Sequence, residues 1–320
     1  MDEELLDEES IIRVLWTNIG SAKRDPFDDD AAWVKNQSRK SSVVLKADMF
    51  VASTDAPSQM TPAQMAKKSI VSCVSDLAAK GVSPKYGLVS LGLPKKLATR
   101  QFVSSLASGF TKAESEYGLK IIGGDTNATS VDIVIDCSIF GFASTLVMRK
   151  GARPGDLIGV TGSFGSQPAG LLILMGKAKS SDVDFEHRAV NLVLEPRARL
   201  DVGLRAARIL SSCIDSSDGL SISLYHLAES SKVSFQLESL PVEPGVDRFA
   251  AENNLSVEDL TLFGGEEYEL VCTFSKKKLP TARKLGIEVI GTVMEKESSE
   301  PQVYLGDKLV ARRGWLHFKS

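Results

Sequence analysis

A chain of 320 residues is longer than one average domain and matches two of ordinary size. Its apolar content of 43% and charged content of 25% are those of a globular protein, and its net charge of −3 excludes a global basic field for nucleic acid. Four scattered cysteines without a C-x-x-C pair argue against zinc and disulfides and for reduced thiols in the cytoplasm, and no apolar run approaches a membrane span.

The acidic start "MDEELLDEESIIRVLW" is the opposite of a basic signal peptide, and its apolar spacing predicts a helix over 1–16. A polar, acidic loop follows over 21–30. "SVVLKADMFV" (42–51) alternates as a strand, with Asp48 near its end. Thr61-Pro62 predicts a clean helix start, an N-cap followed by proline, and Gly81 marks the stop. On that helix Ile70, Val74 and Leu77 share an apolar stripe, while Asp76 lies with Ser69, Ser72 and Ala79 on a side of small residues. A strand at 87–94, a helix at 97–117, a short strand at 120–124 ending in a glycine turn at Asp125, and a strand at 131–143 complete the first half. "MRKGARPGD" (148–156), basic and then rich in Gly and Pro, reads as a linker.

The second half opens with a strand at 157–162. Helices are expected at 167–176, 186–194 and 197–211, then a strand-to-helix turn at "CIDSSDGL" and a helix over 218–231. The strand "VSFQLESL", helices at 246–253 and 256–262, a strand at 267–274, a helix at 278–285 and two final strands follow. The expected class is α/β (α+β) in two domains, residues 1–147 and 148–320.

Seven aspartates stand at what read as element ends, all but Asp48 beside Gly, Ser, Thr or another Asp: Asp29-Asp30, Asp48, Asp76, Asp125, Asp215 and Asp218. Carboxylates so placed have little side-chain freedom and can aim at a shared point. Two of them about 4 Å apart repel by roughly 4 kcal/mol at an effective dielectric near 20. A cluster therefore calls for cations, and hard oxygen ligands call for Mg²⁺ that keeps places for water and phosphate. Each position also has a plainer reading. Asp29-Asp30 suit a solvated loop, Asp48 and Asp125 a turn, and one residue of "DSSD" a helix N-cap. "FGGEEYEL" suits either a glycine hairpin or a site loop. Arg149 beside the linker is placed to meet phosphate, and the three histidines (His187, His226, His317) form no metal spacing. The absence of G-x-x-x-x-G-K-[ST] excludes a P-loop enzyme, and the protein-kinase signatures are missing too.

Taken in order, "DDDAAW", "VSDLAAKG", "GGDT", "RKGARPGD", "IDSSDGL" and "GGEEYEL" resemble the thiamine-monophosphate kinase family, over nearly the whole chain. The resemblance implies an N-terminal mixed sheet that forms a homodimer and a C-terminal α/β domain. It implies direct transfer of a phosphoryl group from ATP to thiamine monophosphate, with several Mg²⁺ and without membrane or nucleic-acid partners. Position by position it implies Asp30, Asp48, Asp76, Asp125 and Asp215 as metal ligands, Asp30, Asp76, Asp125 and Asp215 being the catalytic set, with Asp218 a more peripheral metal contact. It implies Gly124, Asp125, Arg149 and Ser217 at the nucleotide, and Asp55, Glu266 and Trp315 at the substrate. The chain departs from the bacterial pattern at Lys46-Ala47-Asp48, where Ser-Thr-Asp is usual, and at Asp28-Asp29-Asp30, where Gly-Asp-Asp is usual. Related alternatives are a purine-synthesis cyclo-ligase-like member of the same superfamily and a catalytically silent nucleotide-binding protein.

Overall fold

A computed structural model describes residues 6–18, 29–36, 41–296 and 298–315. The acidic loop at 21–28 with Asp28, the first five residues of the expected first helix, and His317 lie outside these. Helix α1 spans Glu8–Asn18. The first sheet draws on β1 (Ala32–Asn36), β2 (Ser41–Val51), β3 (Ser83–Pro94), β4 (Lys120–Thr129) and β5 (Val134–Ala143), in the order β1-β2-β5-β3-β4. Only β3 and β4 run parallel. The short α2 (Ala52–Asp55), the long α3 (Pro62–Ala79) and α4 (Arg100–Tyr117) accompany it.

Helix α3 begins where the sequence says it should. The Thr61 hydroxyl accepts from Gln64 N at 3.3 Å, and Gln64 Oε1 accepts from Thr61 N at 2.9 Å. This capping box satisfies two orphan amides, and Pro62 in the first turn has no amide to satisfy. Gly81, with φ at +67°, takes the left-handed position just past the end.

The second sheet draws on β6 (Leu157–Val160), β7 (Leu210–Ser216), β8 (Ser234–Leu237), β9 (Glu269–Phe274), β10 (Glu288–Met294), β11 (Val303–Leu305) and β12 (Lys308–Leu309). Its order is β12-β11-β8-β10-β6-β9-β7. Helices α5 (Ser166–Leu174), α6 (Val183–Leu194), α7 (Leu200–Ala206), α8 (Leu220–Ser231), α9 (Val246–Asn253), α10 (Val257–Phe263) and α11 (Leu279–Lys284) surround it. One hydrophobic core joins the two sheets. Helix α3 contacts β5 of the first sheet and β7 and β9 of the second, and its Ile70, Val74 and Leu77 belong to the same core as Ile135, Ile139, Cys213, Leu270 and Cys272. Helix α3 is therefore common to both layers.

Two expectations are corrected. The glycine turn at Asp125 is absent, because β4 continues unbroken to Thr129. Gly124 serves close strand approach instead: a Cβ there would stand 1.7 Å from the Val89 carbonyl oxygen. The helix expected over 197–211 spans only Leu200–Ala206, since 210–216 is taken up as β7 against β9. Sheet pairing overrides the helical periodicity there. The linker is a loop held at several points, with Cys213 N donating to Met148 O at 3.1 Å and Gly155 N to Val293 O at 2.8 Å.

The first sheet buries one face under α3 and leaves the other open. Val34, Leu45, Met49, Tyr86, Leu88 and Phe142 lie on the open face, with exposures from 40% at Tyr86 to 63% at Met49. No helix among the described residues is long and apolar enough to cross a membrane.

Candidate active site

Three stretches of chain deliver one carboxylate each to a common point. Asp30 lies two residues before β1, Asp76 sits in the last turn of α3, and Asp215 is near the end of β7. One carboxylate oxygen from each lies within 4.8 Å of the others. They line a cavity of about 820 Å³, also lined by Asp48, Asp55, Arg149, Ser217, Asp218, Glu266 and Trp315. This is the size of a site that encloses small ligands. The alternation of β2 turns Asp48 and Lys46 to the buried face, toward α3.

Fixed cations oppose these acids. The Lys80 ammonium, buried, stands 2.6 Å from Asp29 Oδ1 and 2.6 Å from Asp30 Oδ2, and donates to Cys213 O at 2.9 Å. Arg149 Nε donates to Asp30 Oδ1 at 2.5 Å, and a second guanidinium nitrogen also pairs with that carboxylate. Lys46 Nζ lies 2.8 Å from Asp76 Oδ2 and 3.9 Å from Asp48 Oδ2. Burial raises the Asp30 carboxyl, but Lys80 and Arg149 outweigh it and hold Asp30 well below the usual carboxylate range. Asp76 goes the other way. Burial pushes it well above that range, Lys46 opposes the rise, and Asp215, Asp30 and Asp48 add to it. Burial and Asp30 likewise raise Asp215. Burial and neighbouring carboxylates thus disfavour the charged forms of Asp76 and Asp215, and Lys46 is the cation beside Asp76.

The opposite wall is built from three interleaved loops. Glu266 N donates to Ser217 O at 2.6 Å, Tyr268 N to Ser216 O at 2.9 Å, and Trp315 N to Asp218 O at 2.9 Å. A Cβ on Gly265 would stand 2.7 Å from Ser217 O, so the loops can meet this closely only with glycine there. Glu266 and Tyr268 adopt left-handed φ of +66° and +54°, an uncommon and costly conformation for side-chain-bearing residues. The buried Lys68 pairs with Glu266 and donates to Asp55 O at 2.6 Å, tying both to α3. The Asp55 carboxylate itself accepts from Val51 N at 2.6 Å. The N-cap of α8 is Gly219, without a side-chain cap, so no residue of "DSSD" caps that helix.

Two expected residues are not brought to the cavity by one chain. The register Met49–Asp136–Ser90–Asp125 places Asp125 on the open face of the first sheet, whereas Asp48 shares the buried face with Cys137, Val89 and Gly124. Asp125 is also three strands away from β2, roughly 14 Å at the usual strand spacing. Other residues escaped the sequence reading. Lys46, Lys68 and Lys80 are ion-paired to residues of the cavity, although a lysine on a helix or strand ordinarily reads as solvated. Lys46 was visible in the sequence only as a missing hydroxyl. His226 lines the cavity, its Nδ1 3.3 Å from an Arg149 nitrogen.

Two mixed sheets joined by a shared core, with three carboxylates grouped in one cavity, define a mixed α/β protein with a carboxylate-lined site. Residues 28–143 match the family described as AIR synthase related protein, N-terminal domain. The whole chain is 37% identical to the thiamine-monophosphate kinase of Nitrosopumilus maritimus over 327 residues, covering 98% of this chain and 99% of that protein. It is 35% identical to the Pyrococcus horikoshii thiamine-monophosphate kinase, covering 91% of each. AaThiL complexed with AMPPCP and TMP shares the fold with a TM-score of 0.88 at 28% identity, over 99% of this chain and 100% of that one. The chain belongs to the thiamine-monophosphate kinase family.

Proposed function

We propose that this protein transfers the γ-phosphoryl group of ATP to thiamine monophosphate, giving thiamine diphosphate and ADP. The observation that carries the reading is the grouping of Asp30, Asp76 and Asp215 within 4.8 Å in one cavity. Membership of the kinase family, and the AMPPCP and TMP held by a relative of the same fold, support it.

The donor set fits Mg²⁺: hard carboxylate oxygens from three separate stretches of chain, grouped where burial and like charge leave Asp76 and Asp215 in need of a cation. Asp30, Asp76 and Asp215 would hold it, with Asp48 and Asp218 lining the same cavity. An ion held by them would supply positive charge to the transferring phosphate. The chain's own residues supply position. Arg149, clamped by Asp30, presents a guanidinium to the cavity for phosphate oxygens. Ser217 and the glycine-rich loops give the nucleotide a close backbone surface, Trp315 offers a flat ring at the rim, and Lys68 fixes Glu266 for the acceptor side. The acceptor is a phosphate monoester, already anionic at neutral pH, so transfer needs no strong general base. Cys73 and Cys137 are buried, with thiols pushed up by burial, and make no nucleophile. Transfer is direct.

We further propose that a second copy of the chain covers the open apolar face of the first sheet. Asp125 and Gly124 then act at a nucleotide across the contact between copies. Four free, buried cysteines accord with a reducing cytoplasm.

The test is ADP release with either thiamine monophosphate or formylglycinamidine ribonucleotide as acceptor. Release with the first alone is expected. Release with the second alone would point to cyclo-ligase chemistry, and none with either to a silent nucleotide binder. Asp76→Asn should lower turnover by roughly 100- to 1,000-fold with an unchanged circular dichroism spectrum. Near-normal rates at saturating Mg²⁺ would refute the role of Asp76.

A further inference from the structure

We infer that Lys46 is a built-in cation of this site. Its ammonium occupies the position between Asp76 and Asp48 that a divalent ion would otherwise take, so the chain binds one divalent ion fewer there. The inference deepens the metal-dependent reading above and rests on it.

Lys46 and Asp48 project from one face of β2, toward α3, and the ammonium stands 2.8 Å from Asp76 Oδ2 and 3.9 Å from Asp48 Oδ2. Asp76 is at the same time a member of the group with Asp30 and Asp215. The lysine thus adjoins that group on its β2 side. Any Mg²⁺ held at about 2.1 Å by the Asp76 oxygen that faces Lys46 would stand within roughly 5 Å of the ammonium nitrogen. A double charge is repelled by a single one twice as strongly as two single charges repel each other at the same distance. Lysine and metal therefore exclude one another at this point. Lys80 and Arg149 stand elsewhere, since both pair with Asp30 and Lys80 also reaches Asp29. Lys46 lines the cavity, at 21% side-chain exposure, so its charge also faces the space where phosphates would lie. That charge is present at any metal concentration.

The experiment counts Mn²⁺ bound per chain by electron paramagnetic resonance, on the full chain with AMPPCP and thiamine monophosphate. Lys46→Ser is expected to bind one ion more than the wild type. Asp48→Asn alone should leave the wild-type count unchanged, and added to Lys46→Ser it should remove the additional ion. Equal, non-zero counts in wild type and Lys46→Ser overturn the inference, because the lysine then swings aside for the metal. Loss of an ion on Asp48→Asn alone overturns it as well. A count near zero in every chain sinks the metal reading itself, and this inference with it. Should Lys46→Ser fail to fold by circular dichroism, the Asp48→Asn comparison decides alone.

Discussion

At the scale of single residues, Lys80 is the one whose loss should be felt most in the fold. It is buried, and it compensates Asp29 and Asp30 at 2.6 Å each. Lys80→Met leaves those carboxylates buried with Arg149 as the remaining cation at Asp30, at a cost of about 3–5 kcal/mol read from the urea midpoint. A loss below 1 kcal/mol would mean the acids are already neutralised by other means. His226 sets a pH dependence. Burial first, then Arg149 and Arg312, lowers its pKa from 6.5 to about 4. Between those two values the unfolded chain takes up a proton and the folded chain does not. Stability is therefore full above pH 6.5 and falls as pH drops toward 4, by up to about 3 kcal/mol. His226→Gln should flatten the urea midpoint across pH 7 to 5; an unchanged slope would assign the fall to other groups.

At the scale of elements, local chemistry explains what could be read from the chain and what could not. The start of α3 was legible because Thr61, Pro62 and Gln64 satisfy or remove terminal amides by themselves. Thr61→Ala should accordingly cost about 1 kcal/mol in chemical denaturation, and a neutral effect would mean the helix is held by packing alone. Strand β2 was legible from its alternation, which also fixes Asp48 toward α3. The end of β4 was not, because glycines that permit a turn also permit two backbones to close on each other, and only the neighbouring Val89 distinguishes the cases. Nor was the length of α7, where residues with helical spacing find a vacant strand edge at β9. The convergence of Asp30, Asp76 and Asp215 was legible as residues beside turns and small side chains. The lysines threaded among them were not, since a cation is recognised as buried only once its acids are in place.

At the scale of the whole molecule, the second copy proposed on the open face of the first sheet can be tested. Met49→Lys with Leu88→Asp should convert a dimer to a monomer in analytical ultracentrifugation and remove activity together with it. A monomeric wild type, or a double variant that stays dimeric, would move the contact elsewhere. The sharing of α3 between both sheets has a mechanical consequence. The helix touches β5 of one sheet and β7 and β9 of the other, so the halves are keeled together along it. Parts joined through a broad oily seam do not swing like a clam-shell. Reactants are then expected to reach the three carboxylates without the halves parting.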